Sequence, residues 1–125
     1  MIIYIDYDFD NWNEYIRKER SNVYWASKVK KEEADIVRYF TLGKKYKGSY
    51  PIKLVITKYF KDKRQDLDNV RIKGVLDGLV KNGVIKNDNL TCINEITLKA
   101  EIDKNKKGIL IEIIGEGENE TSWFY

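Results

Sequence analysis

QDLDNVRIKGVLDGLVKNGVIKND, residues 65–88, is the stretch on which both the fold and the chemistry turn. Ile72, Val75, Leu76, Leu79 and Val80 follow i, i+3, i+4, i+7 and i+8 spacing, which is a helix with one apolar face. Asp68 or Asn69 is placed to cap its start and Asn82-Gly83 to end it, so a helix is expected from about Val70 to Asn82. Just upstream, Asp66 and Asp68 stand two apart at the end of a strand-like stretch. In an extended chain such residues share a face. Two carboxylates on one face repel unless a cation lies between them, and a hard divalent ion such as Mg²⁺, bound by oxygen, suits that place.

A third carboxylate, Asp88, lies beyond the helix. The helix carries the chain roughly 20 Å at ~1.5 Å per residue. Residues 83–88 can cover about 20 Å at ~3.3 Å per residue, enough to bring Asp88 back to the helix's starting end. Lys73, on the first turn, shares a face with Asp77 at i, i+4. Beside a metal, its charge would offset the build-up on a pentacoordinate phosphorus or orient the attacking water. Plainer readings exist for each piece. Asp68-Asn69 is also an ordinary helix cap, Lys73–Asp77 an ordinary surface pair and residues 87–89 an ordinary turn.

Working outward, Ile52–Phe60 alternates apolar residues with lysines and reads as a strand, as do Met1–Tyr7 and Cys92–Ile102. Ile109–Ile114 is a strongly apolar strand, and with residues 92–102 it is expected to form a hairpin across the basic turn 104–108. Between Trp12 and Leu42 there is neither proline nor glycine. That span reads as one long helix, or two with a break near Ser21-Asn22, opened by Asp10 or Asn11 and stopped at Gly43. The order is β, α, β, α, β, β. It predicts one domain over residues 1–125, an α/β (α+β) fold with a mixed sheet packed by two main helices.

Composition narrows the chemistry. The chain has 125 residues, 34% of them charged, with a net charge of +3 that permits a polyanionic partner without requiring one. It contains no histidine, which removes His-based triads, His-ligated zinc hydrolases and HNH-type nucleases. The single cysteine, Cys92, cannot make an internal disulfide or a multi-cysteine zinc site, fits a reducing, cytoplasmic setting and is expected in the core. The apolar start is cut short by Asp6, Asp8 and Asp10, so neither a signal peptide nor a membrane span is expected.

As a set, Asp66-Leu67-Asp68-Asn69, Lys73, Asp77-Gly78-Leu79, Gly83 and Asn87-Asp88 resemble the catalytic core of the RusA family of Holliday junction resolvases. The likeness is clear over residues 63–90 and weaker through 92–117, where Lys99 stands at a comparable lysine. It implies a homodimeric, Mg²⁺-dependent endonuclease that cuts four-way and related branched DNA in recombination and repair. Carried over, Asp66, Asp68 and Asp88 are the metal site and Lys73 the catalytic cation. Two positions depart from the pattern. Lys73 comes five residues after Asp68 where the family has four, which leaves Arg71 as an alternative cation. Asn87 replaces the first acid of the later pair. The pattern Trp12, Tyr15, Arg17, Arg20 is closer to phage-type members than to the family's usual opening.

Basic residues fall in three groups: Arg17, Lys18, Arg20, Lys28, Lys30 and Lys31; then Lys44, Lys45 and Lys47; then Lys58, Lys61, Lys63 and Arg64, directly before the aspartates. The third group, with Arg17 and Arg20 of the first, is expected to bind DNA phosphates. Tyr15, Tyr24 and Tyr46 are candidates for stacking on unpaired bases. A homodimer follows from the need for two symmetric cuts, with Ile109–Ile114 and the aromatic residues as possible interface. The terminal Trp123, Phe124 and Tyr125 receive no role. Two other readings compete: a junction-binding protein with a decayed active site, and an RNA-binding or protein-interaction domain with a chance motif.

Overall fold

The structure, a computed structural model, describes residues 1–118. The aromatic tail at 123–125 lies outside the described residues.

β1 (Ile2–Ile5) leads into α1 (Trp12–Ser21), which Asn11 opens with a full capping box. The Glu14 backbone N–H donates to Asn11 Oδ1 at 2.9 Å, and the Asn11 N–H donates back to Glu14 Oε1 at 3.3 Å. The helical span then breaks at Asn22, whose extended backbone (φ −165°, ψ 123°) ends α1 while its side chain caps α2 (Val23–Phe40). Two helices therefore form, not one. Gly43 at φ +74° turns the chain out of α2, a conformation that costs glycine little.

β2 (Ile52–Phe60) follows, then a 3-10 turn (Leu67–Asn69), α3 (Lys73–Lys81), β3 (Ile93–Ile102) and β4 (Ile109–Ile114). The sheet order is β1-β4-β2-β3, with β2 and β3 parallel and the other pairs antiparallel. The fold is thus α+β with a mixed sheet, as expected, but the hairpin between the last two strands is not made, because β2 lies between them. The helix-facing residues of β2 (Ile52, Leu54, Ile56) and β4 (Ile109, Ile111, Ile113) are all buried, and their adjacency places the most apolar surface at the sheet centre. β3, with Glu95, Lys99 and Glu101, takes the edge, where charge discourages further strand pairing. The connection 103–108 is longer than most hairpin loops and crosses the end of β2. Because β4 is interior and its isoleucines fill the core, it is not the interface that its composition suggested.

α2 and α3 pack together on one face of the sheet through two glycines one turn apart. A Cβ on Gly74 would collide with the Glu33 carboxylate, and one on Gly78 would lie 2.8 Å from the Val37 side chain. The other face of α3 carries the expected stripe, with Val75 and Leu79 fully buried and Ile72, Leu76 and Val80 against them.

α3 starts later than its sequence pattern indicates. Asn69 Oδ1, the atom that would cap an earlier start, instead accepts the Asn13 N–H of α1 at 3.2 Å, and Val70 is extended (φ −71°, ψ 123°). No side chain caps α3 at Ile72. Asn82 closes its far end, donating to Gly78 O at 2.8 Å and Ala34 O at 3.0 Å, and Gly83 (φ +72°) turns the chain away.

Candidate active site

The C-terminal end of β2 and the segment after it build a cleft of about 30 Å³, enough for a few water-sized species. Phe9, Asn11, Lys58, Asp66, Asn69 and Arg71 are among its walls, with Val75 and Ile109 at its apolar side. Asp66 caps the 3-10 turn with extended backbone, and Asp68 lies within the turn. The turn closes through Asn69 N–H to Asp66 O and Val70 N–H to Leu67 O, both 3.1 Å. The two aspartates are therefore not on one face of an extended strand as expected.

Both carboxylates are exposed, and among the described residues neither has a hydrogen bond or ion pair. Their acidic neighbours at this end differ. Asp8 binds Lys58 at 2.5 Å and the Gly108 N–H at 2.9 Å, Asp10 binds Lys18 at 2.7 Å, and Asp62 binds Arg64 at 2.7 Å. Burial alone would raise the Asp8 carboxyl, but the hydrogen bonds from Lys58 and Gly108 outweigh it and hold the group below its ordinary value. The Arg64 hydrogen bond holds Asp62 at about 2.

The residues expected to contact phosphate differ in exposure and pairing. Lys58 is mostly buried and committed to Asp8, so it builds the cleft wall and does not reach outward. Arg64 is exposed but shares its charge with Asp62. Lys61 and Lys63 project into solvent beside the turn, as do Arg17 and Arg20 on α1. Of the tyrosines considered for base stacking, Tyr15 and Tyr46 are buried and Tyr24 is open. Cys92 is half-buried and not a core residue.

Lys73 is exposed on the first turn of α3, 3.6 Å from Asp77 Oδ1, a loose ion pair that leaves it free to move. Arg71 is not an equivalent alternative. Arg71 is 4% exposed, and its guanidinium donates to Glu33 at 2.6 and 2.8 Å and lies 3.9 Å over the Tyr15 ring. Burial opposes its charge, but the Glu33 carboxylate more than restores it, so Arg71 stays a neutralised cation. Glu33 does not stand out in the sequence, though a signal is there: it lies at i+4 from Val29 and i−4 from Val37, on the buried stripe of α2.

Asp88 does not join Asp66 and Asp68 within one chain. Lys86 N–H donates to the Tyr50 hydroxyl at 3.0 Å, Ile52 N–H donates to Cys92 O at 2.7 Å, and Ile93 pairs with Ile52. Asp88 is thus held at the start of β2, while Asp66 shares a cleft with Lys58 near its end. Ile52 and Lys58 are six residues apart along β2, about 20 Å at ~3.3 Å each. The parallel pairing of β3 with β2 forces this. After α3 the chain must begin β3 beside the start of β2, and Asp88 falls on that return. Among the described residues, no three acidic, Cys or His side chains are close enough to hold a metal ion.

Comparison with known proteins agrees with the motif. The family model Endodeoxyribonuclease RusA matches residues 2–114, nearly the whole described chain. The chain is 36% identical over 105 residues to the crossover junction endodeoxyribonuclease RusA of Aquifex aeolicus (strain VF5), covering 81% of this chain and 79% of that protein. With the D-x-D-N turn, the following lysine and the α+β sheet all inside the matched span, the chain belongs to the RusA family of endodeoxyribonucleases.

Proposed function

We propose that this nuclease is a Mg²⁺-dependent, homodimeric resolvase that cuts four-way DNA junctions by paired nicks in recombination and repair. The observation that carries the reading is the pair Asp66 and Asp68: two exposed carboxylates on a tight turn, without a partner among the described residues, while nearby Asp8, Asp10 and Asp62 are each paired with a cation. Two exposed carboxylates on one turn, uncommitted to any described residue, are available to a cation, and an all-oxygen donor set suits a hard ion. Asp66 and Asp68 would hold Mg²⁺ from one chain. The distance to Asp88 points to the partner subunit as the source of the third carboxylate, since a two-fold axis that brings the start of β2 and β3 over the turn completes two equivalent sites at once.

Bound Mg²⁺ supplies electrophilic assistance to the scissile phosphate and acidifies water for attack. The chain's own residues do the rest. Lys73 opens α3 five residues after Asp68, exposed and only loosely paired with Asp77, and its ammonium would balance charge gathering on phosphorus. Lys61 and Lys63 neutralise phosphates flanking the cut, and Arg17 and Arg20 extend that basic surface along α1.

The separation of the three aspartates and the presence of Asn87 favour one other reading, a junction-binding protein that no longer cleaves. The test compares wild type with Asp68→Asn on a labelled four-way junction, with and without Mg²⁺. Paired nicks that need Mg²⁺ and disappear in the variant, with junction binding kept, support the nuclease. Tight binding without cleavage by either protein would establish the decayed binder.

A further inference from the structure

The segment between the carboxylate turn and α3 has little to hold it. Its backbone hydrogen bonds are internal to the turn or begin the helix. Among the described residues, side-chain hydrogen bonds tie residues 66–72 to the rest of the protein at only two points: Asn69 to the Asn13 N–H of α1, and Arg71 to Glu33 of α2. The second is the stronger, a two-pronged guanidinium–carboxylate pair with both partners buried. Tyr15 covers one face of the guanidinium at 3.9 Å, and Trp12 stands farther off at 5.8 Å. Gly74 leaves the space that the Glu33 carboxylate occupies at the first turn of α3. Three helices therefore meet on one side chain, three residues after Asp68 and two before Lys73.

A buried ion pair is a poor device for stability, because an apolar pair of similar volume commonly does as well. Its particular property is geometry: the planar fork fixes both distance and orientation, which neither an apolar contact nor a lysine reproduces. From this placement we infer that Arg71, acting through Glu33, is a positioning residue for the metal-binding turn, setting Asp66 and Asp68 relative to Lys73 without touching substrate or ion. The inference rests on the reading of those aspartates as metal ligands.

Two variants test it: Arg71→Lys, and the double variant Arg71→Met with Glu33→Leu, which changes no net charge. Folding is followed by thermal unfolding, Mn²⁺ binding by electron paramagnetic resonance titration, junction affinity in Ca²⁺, and cleavage against Mg²⁺ concentration. A displaced turn raises the Mn²⁺ and Mg²⁺ midpoints about tenfold and lowers kcat by tenfold or more, since a 1 Å misplacement can cost about 100-fold. Junction affinity stays near wild type. Because the double variant is isoelectric, weaker Mn²⁺ binding would report geometry and not a changed field.

A folded variant with wild-type Mn²⁺ midpoint and kcat overturns the inference. So does failure of both variants to fold, which would make the pair a requirement of the fold and not of the site. Asp68→Asn separates the underlying reading: if it leaves Mn²⁺ binding unchanged, the turn is not the metal site. If it abolishes binding while the Arg71 variants stay wild type, only the positioning role fails.

Discussion

If Asp88 reaches the site from the partner subunit, two inactive proteins must rescue each other. Take Asp68→Asn and Asp88→Asn, each of which breaks every site in its own homodimer. In a mixed dimer one composite site receives both substitutions. The other receives intact Asp66 and Asp68 from one chain and intact Asp88 from its partner. Random reassortment of equal amounts makes about half the dimers mixed, each with one of its two sites whole, so about a quarter of the wild-type sites return. Nicking of a labelled junction should recover to roughly a quarter of the wild-type rate on mixing, from none for either protein alone. Paired nicks should stay rare, because no dimer holds two working sites. The about 20 Å along β2 from Ile52 to Lys58 is what makes the prediction sharp, since no side chain spans it. A site contained in one chain gives the opposite result: each subunit in the mixed dimer carries one broken aspartate, and mixing restores nothing. Absence of rescue, with subunit exchange shown by tagged chains, would refute the composite site.

Three further outcomes rest on individual side chains. Gly78→Ala places a Cβ 2.8 Å from Val37; overpacking should cost about 1–3 kcal/mol, partly offset by ~1 kcal/mol of helix propensity, and Val37→Ala should relieve it in a double-mutant cycle of thermal unfolding. Asp8 is held below its ordinary carboxyl value, so its stabilising effect is present above about pH 4 and is lost as pH falls through the lowered value. Asp8→Asn should therefore lower Tm at neutral pH, and its gap from wild type should close in acid; a gap that widens below pH 4 would contradict the assignment. Replacing exposed Lys61 and Lys63 by alanine should reduce the slope of log junction affinity against log salt by about 0.9 for each phosphate that is no longer neutralised, whereas Lys58→Ala, removing a cation already committed to Asp8, should leave the slope unchanged.

The sequence discloses the elements better than their arrangement. Ile52–Phe60 and the apolar stripe of α3 are legible because alternation and helical spacing are local properties. Asn22 shows only as a point of ambiguity, since its capping geometry is a backbone fact. The position of Asp88 escapes the sequence for a different reason: chain length bounds reach but not direction. Direction is fixed by β3 pairing parallel to β2, a long-range choice that no window of sequence contains. The role of Arg71 is hidden in the same way. As a cation near two aspartates it resembles a catalytic alternative, and only the buried Glu33, thirty-eight residues away, removes it from that list.

That arrangement has a consequence for a junction nuclease. A chain carrying all three carboxylates together would hydrolyse DNA as a monomer and leave single nicks, which do not resolve a four-way junction. With Asp66 and Asp68 near one end of β2 and Asp88 near the other, an isolated chain would, on the proposed assignment, hold only part of the ligand set. If the site is composite as proposed, metal affinity would depend on assembly, and by linkage Mg²⁺ binding would tighten the dimer by the same factor. Hydrolysis would then be conditional on the symmetric complex that can make both cuts. The feature of the fold that would impose that condition is the start of β3 beside the start of β2, away from the turn that bears Asp66 and Asp68.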